Sequence, residues 1–230
     1  FAATHEFAEK AKSSDNYYVI VMRESLPQLP YSVDEIYTLK NRTKGYGQIK
    51  RLYTSFQHIY EKSSYSTAEK RPDYVIVEDS HSGYQFFKKI FEDQSILCIS
   101  AQGKSNICAE IEKTPVGSTI LIIADGAAFG PEMEKTLAQR RKRNIVLFLP
   151  ESFEWMILSA GSDSDINRIL KNPADSIESS LYFSWERFFT SLLTEKTKDT
   201  YLQYNKRELN PTYLQDKEKR AILKLLLEHQ

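Results

Sequence analysis

The sequence predicts an α/β fold, a mainly parallel sheet with helices on both faces, followed by a helical C-terminal segment. Four short runs in the middle of the chain carry the prediction: DYVIVE (73–78), SILCIS (95–100), STILIIAD (118–125) and NIVLFLP (144–150). Each is apolar on consecutive rather than alternate positions, as expected of strands buried on both faces. Between them lie GYQFFKKIFED (83–93), SNICAEIEKT (105–114) and PEMEKTLAQRRK (131–142), each with apolar residues at helical spacing. Strand and helix therefore alternate, which calls for right-handed β-α-β crossovers and a parallel sheet.

The flanks are less regular. NYYVIVMR (16–23) is apolar on both faces and is expected to form a central strand. Pro27 and Pro30 then interrupt regular structure, and Ser32 with Glu35 three residues later has capping-box spacing, so a loop and a turn of helix or an edge strand should follow. RLYTSFQHIYE (51–61) places Leu52, Phe56, Ile59 and Tyr60 at helical spacing and is expected to be a helix, with a boundary near Tyr65 in the polar stretch after it. Beyond Gly161, SSLYFSWERFFTSLLTEKT (179–197) and KEKRAILKLLLEHQ (217–230) predict helices. The chain thus divides into 1–64, an α/β unit over 65–161, and a helical cap over 162–230. Its first residues, FAATHEFAEKAK, look like the interior of a helix, as expected of a fragment of a longer protein.

Composition narrows the function classes. The 31 basic and 31 acidic side chains balance to zero net charge, so binding to nucleic acid or a membrane surface would need a local patch. No apolar run approaches the ~18 residues of a membrane span, and a cytoplasmic location is expected. Cys98 and Cys108 lack metal-ligand spacing and read as core thiols. There is no GxSxG, and His5, His58, His81 and His229 fit no triad pattern. The basic run QRRKRN (139–144) could contact phosphate, and with the aromatic C-terminal helix it makes an interaction scaffold conceivable, although a solvated helix end is the simpler account.

In open parallel sheets ligands bind beyond the carboxyl ends of the strands. Those ends carry Glu78 and Asp79, then Gln102-Gly103-Lys104, then Asp125, then Glu151 with Glu154. Carboxylates gathered in one cleft repel one another unless protons or hard divalent cations neutralise them, which points to Mg2+ or Mn2+. The competing account is that each acid caps a helix N-terminus.

VIVED (75–79), the Gly103-Lys104 turn and IIADGAAFG (122–130) resemble, in order and placement, the motif series of Toprim domains, found in topoisomerases, primases and overcoming-lysogenization-defect nucleases. The resemblance implies a metal-dependent nuclease or phosphoryl-transfer module acting on nucleic acid. Glu78 and Asp125 would be catalytic metal ligands, and Lys104 would add positive charge at the scissile phosphate. The chain departs from the family's Asp-x-Asp pattern, having Ala127 as its third residue, and Glu151 is the candidate replacement ligand. That departure also leaves open a catalytically silent module that binds nucleic acid or a protein partner. Residues 13–60 resemble the part of a P-loop ATPase that follows its Walker B strand, as in mobile-element-type bacterial proteins, with Arg23 or Glu24 at the sensor position. The resemblance implies an ATPase portion elsewhere in the same longer protein, since GxxxxGK[ST] is absent here.

Overall fold

The computed structural model describes residues 7, 11, 14, 16, 18–21, 35–41, 53–61, 71–161, 163–171 and 185–227. Two strands precede the predicted α/β region. β1 (Glu35–Asn41) and β2 (Tyr53–Glu61) pair antiparallel, with Leu39 opposite Phe56, and shift register between Ile36 and Tyr37 and between Lys40 and Asn41. β2 overturns the expected helix over 51–61. Tyr53, Thr54, Phe56, Ile59 and Tyr60 are all strand-favouring residues, and pairing with β1 decides in favour of the strand although four apolar positions also fit a helix. The expected central strand over 16–23 is likewise not found where it is described. Residues 18–21 belong to no strand and are exposed, Val19 at 88%. A β-branched run becomes a buried strand only where a neighbouring edge accepts its ladder. The Ser32–Glu35 capping box and the boundary near Tyr65 lie partly or wholly outside the described residues.

The four predicted strands form one parallel sheet. β3 (Tyr74–Val77), β4 (Leu97–Ser100), β5 (Thr119–Ile123) and β6 (Asn144–Phe148) stand in the order β4-β3-β5-β6. Three helices connect them: α1 (Ser82–Glu92), α2 (Ile107–Lys113, entered through a 3-10 turn at Lys104–Asn106) and α3 (Gly126–Ala138). The chain steps from β3 outward to β4, crosses back over β3 to β5, and continues to β6. With right-handed crossovers, α1 must lie on one face and α2 and α3 on the other. Side-chain alternation agrees. Val75, Val77, Leu121 and Ile123 pack with Phe86, Phe87, Ile90 and Phe91 of α1. Ile76, Ile120, Ile122, Ile145 and Leu147 pack with Ile107 and Ile111 of α2 and Phe129, Met133 and Leu137 of α3.

α1 cannot cover the whole of its face, and the C-terminal helices complete that layer. They are α4 (Phe153–Ala160), α5 (Ser164–Lys171), α6 (Trp185–Thr197) and α7 (Asp216–Leu227). Met156, Phe188, Phe189, Ile222 and Leu226 share one cluster with α1 and the sheet. The predicted C-terminal helices are thus present over 185–197 and 216–227, while 179–184 and 228–230 lie outside the described residues. No helix among the described residues is long and apolar enough to cross a membrane.

α3 begins five residues before the predicted Pro131, which sits inside the helix. Its first residue, Gly126, donates its N–H to the Pro150 carbonyl at 2.6 Å. An added Cβ would stand 2.7 Å from the Leu149 carbonyl oxygen and 3.2 Å from that of Pro150. Both obstacles are main chain and cannot rotate away. Gly126→Ala is therefore expected to destabilise the protein by about 2 kcal/mol, read as a fall in Tm of roughly 4–8 °C in thermal denaturation.

Candidate functional site

The winding direction reverses between β3 and β5, so the connections leaving these neighbouring strands turn to opposite faces and open a crevice at their carboxyl ends. Val77 and Ile123 are register partners, and the Glu78 N–H donates to the Ile123 carbonyl at 2.8 Å. Glu78 therefore leaves β3 beside the exit of β5, where Asp125 follows. Glu78 Oε2 accepts the Asp125 N–H at 3.0 Å. A narrow crevice here is lined by Glu78, Asp79, Gly83, Asp125, Pro150 and Phe153, among others.

Helix capping accounts for Asp79 but not for its two neighbours in the crevice. Asp79 Oδ1 accepts the N–H groups of Ser80 (2.7 Å) and His81 (3.0 Å), and Oδ2 accepts those of Gly83 (2.9 Å) and Tyr84 (3.3 Å). Both of its oxygens are committed to the start of α1. Asp125 precedes α3 in an extended conformation, yet its side chain makes no capping bond. Glu78 bonds the main chain of Asp125 rather than its own following helix.

Electrostatics set the pair apart. Burial pushes the Asp125 carboxyl well above the usual range, and the charges of Glu78, Glu154, Glu186 and Asp79 push the same way. Burial also raises Glu78; the Asp125 N–H and the Lys104 charge pull it back, while Glu186 and Asp79 add to the rise. Lys104 is held at the rim of this pair, donating from Nζ to the Ala128 carbonyl in the first turn of α3 at 2.9 Å. The turn before it is fixed by Gly103, whose φ of 121° suits only glycine and whose N–H bonds the Glu78 carbonyl at 2.9 Å.

Of the predicted acids, the structure brings together Glu78 and Asp125, with Lys104 beside them. Glu151 is buried in the turn that Ser152 makes into α4, where Ser152 Oγ accepts the Trp155 N–H at 3.1 Å; it does not line the crevice between the other two. Glu154 is the acid of that region whose charge reaches Asp125. It is buried too, and its Oε1 accepts from Thr190 Oγ1 at 3.0 Å and from the Tyr204 hydroxyl at 2.8 Å. Among the described residues, no three His, Cys, Asp or Glu side chains gather as a ready-made cation site. The pair itself has the chemistry of hard-cation ligands: two oxygen donors of like charge, held together where burial makes their ionisation costly. One cation there would relieve that cost, with the remaining donors coming from solvent or substrate.

Three polar residues at this site carry no signal in the sequence. Tyr204, Lys206 and Glu186 come from the C-terminal region, and only packing of that region over the N-terminus of α1 brings them in. The Tyr204 hydroxyl lies 2.9 Å from Ser82 Oγ, the Ser82 N–H donates to the Lys206 carbonyl at 3.0 Å, and Gln85 bonds both the Arg207 carbonyl and the Leu209 N–H. Lys206 bonds Glu186 and lies 3.9 Å from Glu154. Burial alone would lower its ammonium, but Glu186, Glu154 and Asp125 outweigh that and keep it protonated.

The basic run at 139–144 stands at the opposite end of the sheet, where β6 begins. Arg143 is buried there and donates to the Thr114 carbonyl and hydroxyl and to the Glu112 carbonyl, and Arg140 Nε donates to the Ile145 carbonyl. Arg143 ties α2 to β6 and is no part of a solvated patch. Burial pushes the Cys98 thiol up to about 12, in keeping with a core position.

The raised carboxyls fix the sign of a pH effect. Between the ordinary carboxylate range and the raised values, the folded protein holds more protons than the unfolded chain, so stability falls as pH rises through that window. In metal-free buffer with chelator, Asp125→Asn is expected to raise Tm at pH 7.5 by roughly 2–4 °C and to flatten the decline above the ordinary carboxylate range. Glu78→Gln should act in the same direction and by less, because it also weakens the bond from the Asp125 N–H. A lower Tm for Asp125→Asn at pH 7.5 would show that the pair is not under charge repulsion. No family model matches the chain, and neither a curated protein nor a solved structure matches it.

Proposed function

We propose that this chain is a Toprim-like phosphoryl-transfer module that acts on nucleic acid with Mg2+ or Mn2+, as the effector part of a longer ATPase. One observation carries the proposal: Glu78 and Asp125 converge at the winding reversal of a parallel sheet, joined through the Asp125 N–H, and neither is engaged in capping its own helix. A bound divalent cation would supply Lewis-acid stabilisation of a phosphoryl oxygen and a more acidic water. The chain's own residues then have separable tasks. Glu78 and Asp125 would hold the cation. Lys104, anchored to Ala128, stands at the rim as a positive group whose charge acts on Glu78 and is available to an approaching phosphate. Asp79 holds the entrance of α1 rigid and takes no part in the chemistry.

A catalytically silent module that binds nucleic acid or a protein partner is the second reading. It is favoured by Ala127 at the third position of the Asp-x-Asp pattern and by the absence, among the described residues, of a three-ligand group.

Calorimetric titration separates the two. Under the first reading Mn2+ binds the wild type, Glu78→Gln and Asp125→Asn each weaken binding at least tenfold, and both abolish cleavage of supercoiled and single-stranded DNA. Asp79→Ala is expected to lose about 1 kcal/mol of stability while still binding Mn2+. A wild type that binds no Mn2+ would leave the silent module standing.

A further inference from the structure

The acids at the strand ends have a cation of the chain's own beside them. Glu78, Asp79 and Asp125 line the crevice, the charges of Glu154 and Glu186 act on Asp125 from beside it, and two ammonium groups answer them, Lys104 and Lys206. Lys104 gives one of its N–H groups to the Ala128 carbonyl. Lys206 is placed differently. Its main chain is fixed by the Ser82 N–H, and Tyr204, two residues earlier, is fixed by Ser82 Oγ and Glu154; none of these bonds uses the ammonium. The Lys206 side chain bridges Glu186 and Glu154 from this anchored segment. It is 36% exposed and lines an open groove of about 550 Å3 with Gln203, Asn205 and Asn210, so it has solvent-filled space to turn into.

We propose that Lys206 is a tethered counter-ion that competes with a divalent cation for this acid cluster. The inference rests on the cation chemistry proposed above. Without a divalent cation, the ammonium offsets part of the repulsion among the acids and ties the 204–206 segment to α4 and α6 through Glu154 and Glu186. When a divalent cation enters at Glu78 and Asp125, its charge and the ammonium repel, and the partners of Lys206, Glu154 and Glu186, are the acids whose charges act on Asp125, so binding of one weakens the hold of the other. The competition runs inside the chain and needs no partner.

The test is Mn2+ titration of the full chain by calorimetry, comparing the wild type with Lys206→Met and Lys206→Gln, each first checked for folding by circular dichroism. The half-exposed side chain should be replaceable, and the glutamine variant keeps a polar group where the methionine one does not. The expected result is Mn2+ binding about tenfold tighter in both variants, equivalent to about 1.4 kcal/mol. Binding in the variants but not in the wild type is the stronger form of the same result. Unchanged or weaker binding in the variants, with the wild type binding, overturns the counter-ion and leaves the Glu78–Asp125 site intact. Failure of wild type and variants alike to bind Mn2+ overturns the cation chemistry itself, and the counter-ion with it.

Discussion

The reversal of winding between β3 and β5 is the constraint from which the rest of the molecule follows. Because the chain leaves β3 in one direction and β5 in the other, α1 is forced onto the face opposite α2 and α3. One face then has a helix from its own crossovers only over part of its width, and apolar residues such as Phe148 would be bare there without α4, α6 and α7. The C-terminal helices are in this sense dictated by the sheet order. The same reversal parts the two connections at the carboxyl ends, and that gap is where Glu78 and Asp125 meet.

The domain distributes its polar groups unevenly between its two ends. At the amino ends of the strands, Arg143 satisfies carbonyls of the α2 exit from a buried position, and the Asp73 carboxylate accepts the Thr119 N–H. Charges there are matched to partners and lock the frame. At the carboxyl ends, acids outnumber bases, and burial and like charge both act against ionisation. A fold tolerates such a cluster when the surrounding apolar layers, here the two clusters on either side of the sheet, supply the stability that the cluster subtracts.

The central sheet was legible because strands buried on both faces leave an unbroken apolar signature, and all four appear within a few residues of where DYVIVE, SILCIS, STILIIAD and NIVLFLP place them. Strand exits were legible for the same reason, which is how Glu78 and Asp125 could be named. β2 was misread because its apolar spacing fits two periods and only the partner strand breaks the tie, whereas β1 is the edge strand that the reading of its stretch had left open beside a turn of helix. The start of α3 was placed too late because Pro131 resembles a helix opening, whereas the close approach of Gly126 to the Leu149 and Pro150 carbonyls depends on a contact more than twenty residues distant. Tyr204, Lys206 and Glu186 were invisible for a related reason: nothing local marks a tyrosine or lysine in a polar stretch as the neighbour of Ser82, at a helix start 122 residues before Tyr204.

The fit of Gly126 against the exit of β6 makes the two loops mechanically one piece. The residue just before Gly126 is Asp125, and the main chain it abuts leads through Glu151 and Ser152 into Glu154. A shift of either loop must carry the other, so the spacing between Asp125 and Glu154 is set by backbone contact and is insulated from the side-chain motions around it. Because the contact is main chain on both sides, a side chain at 126 is excluded whatever residues stand at 149 and 150, and the distance between the acids depends on that one glycine.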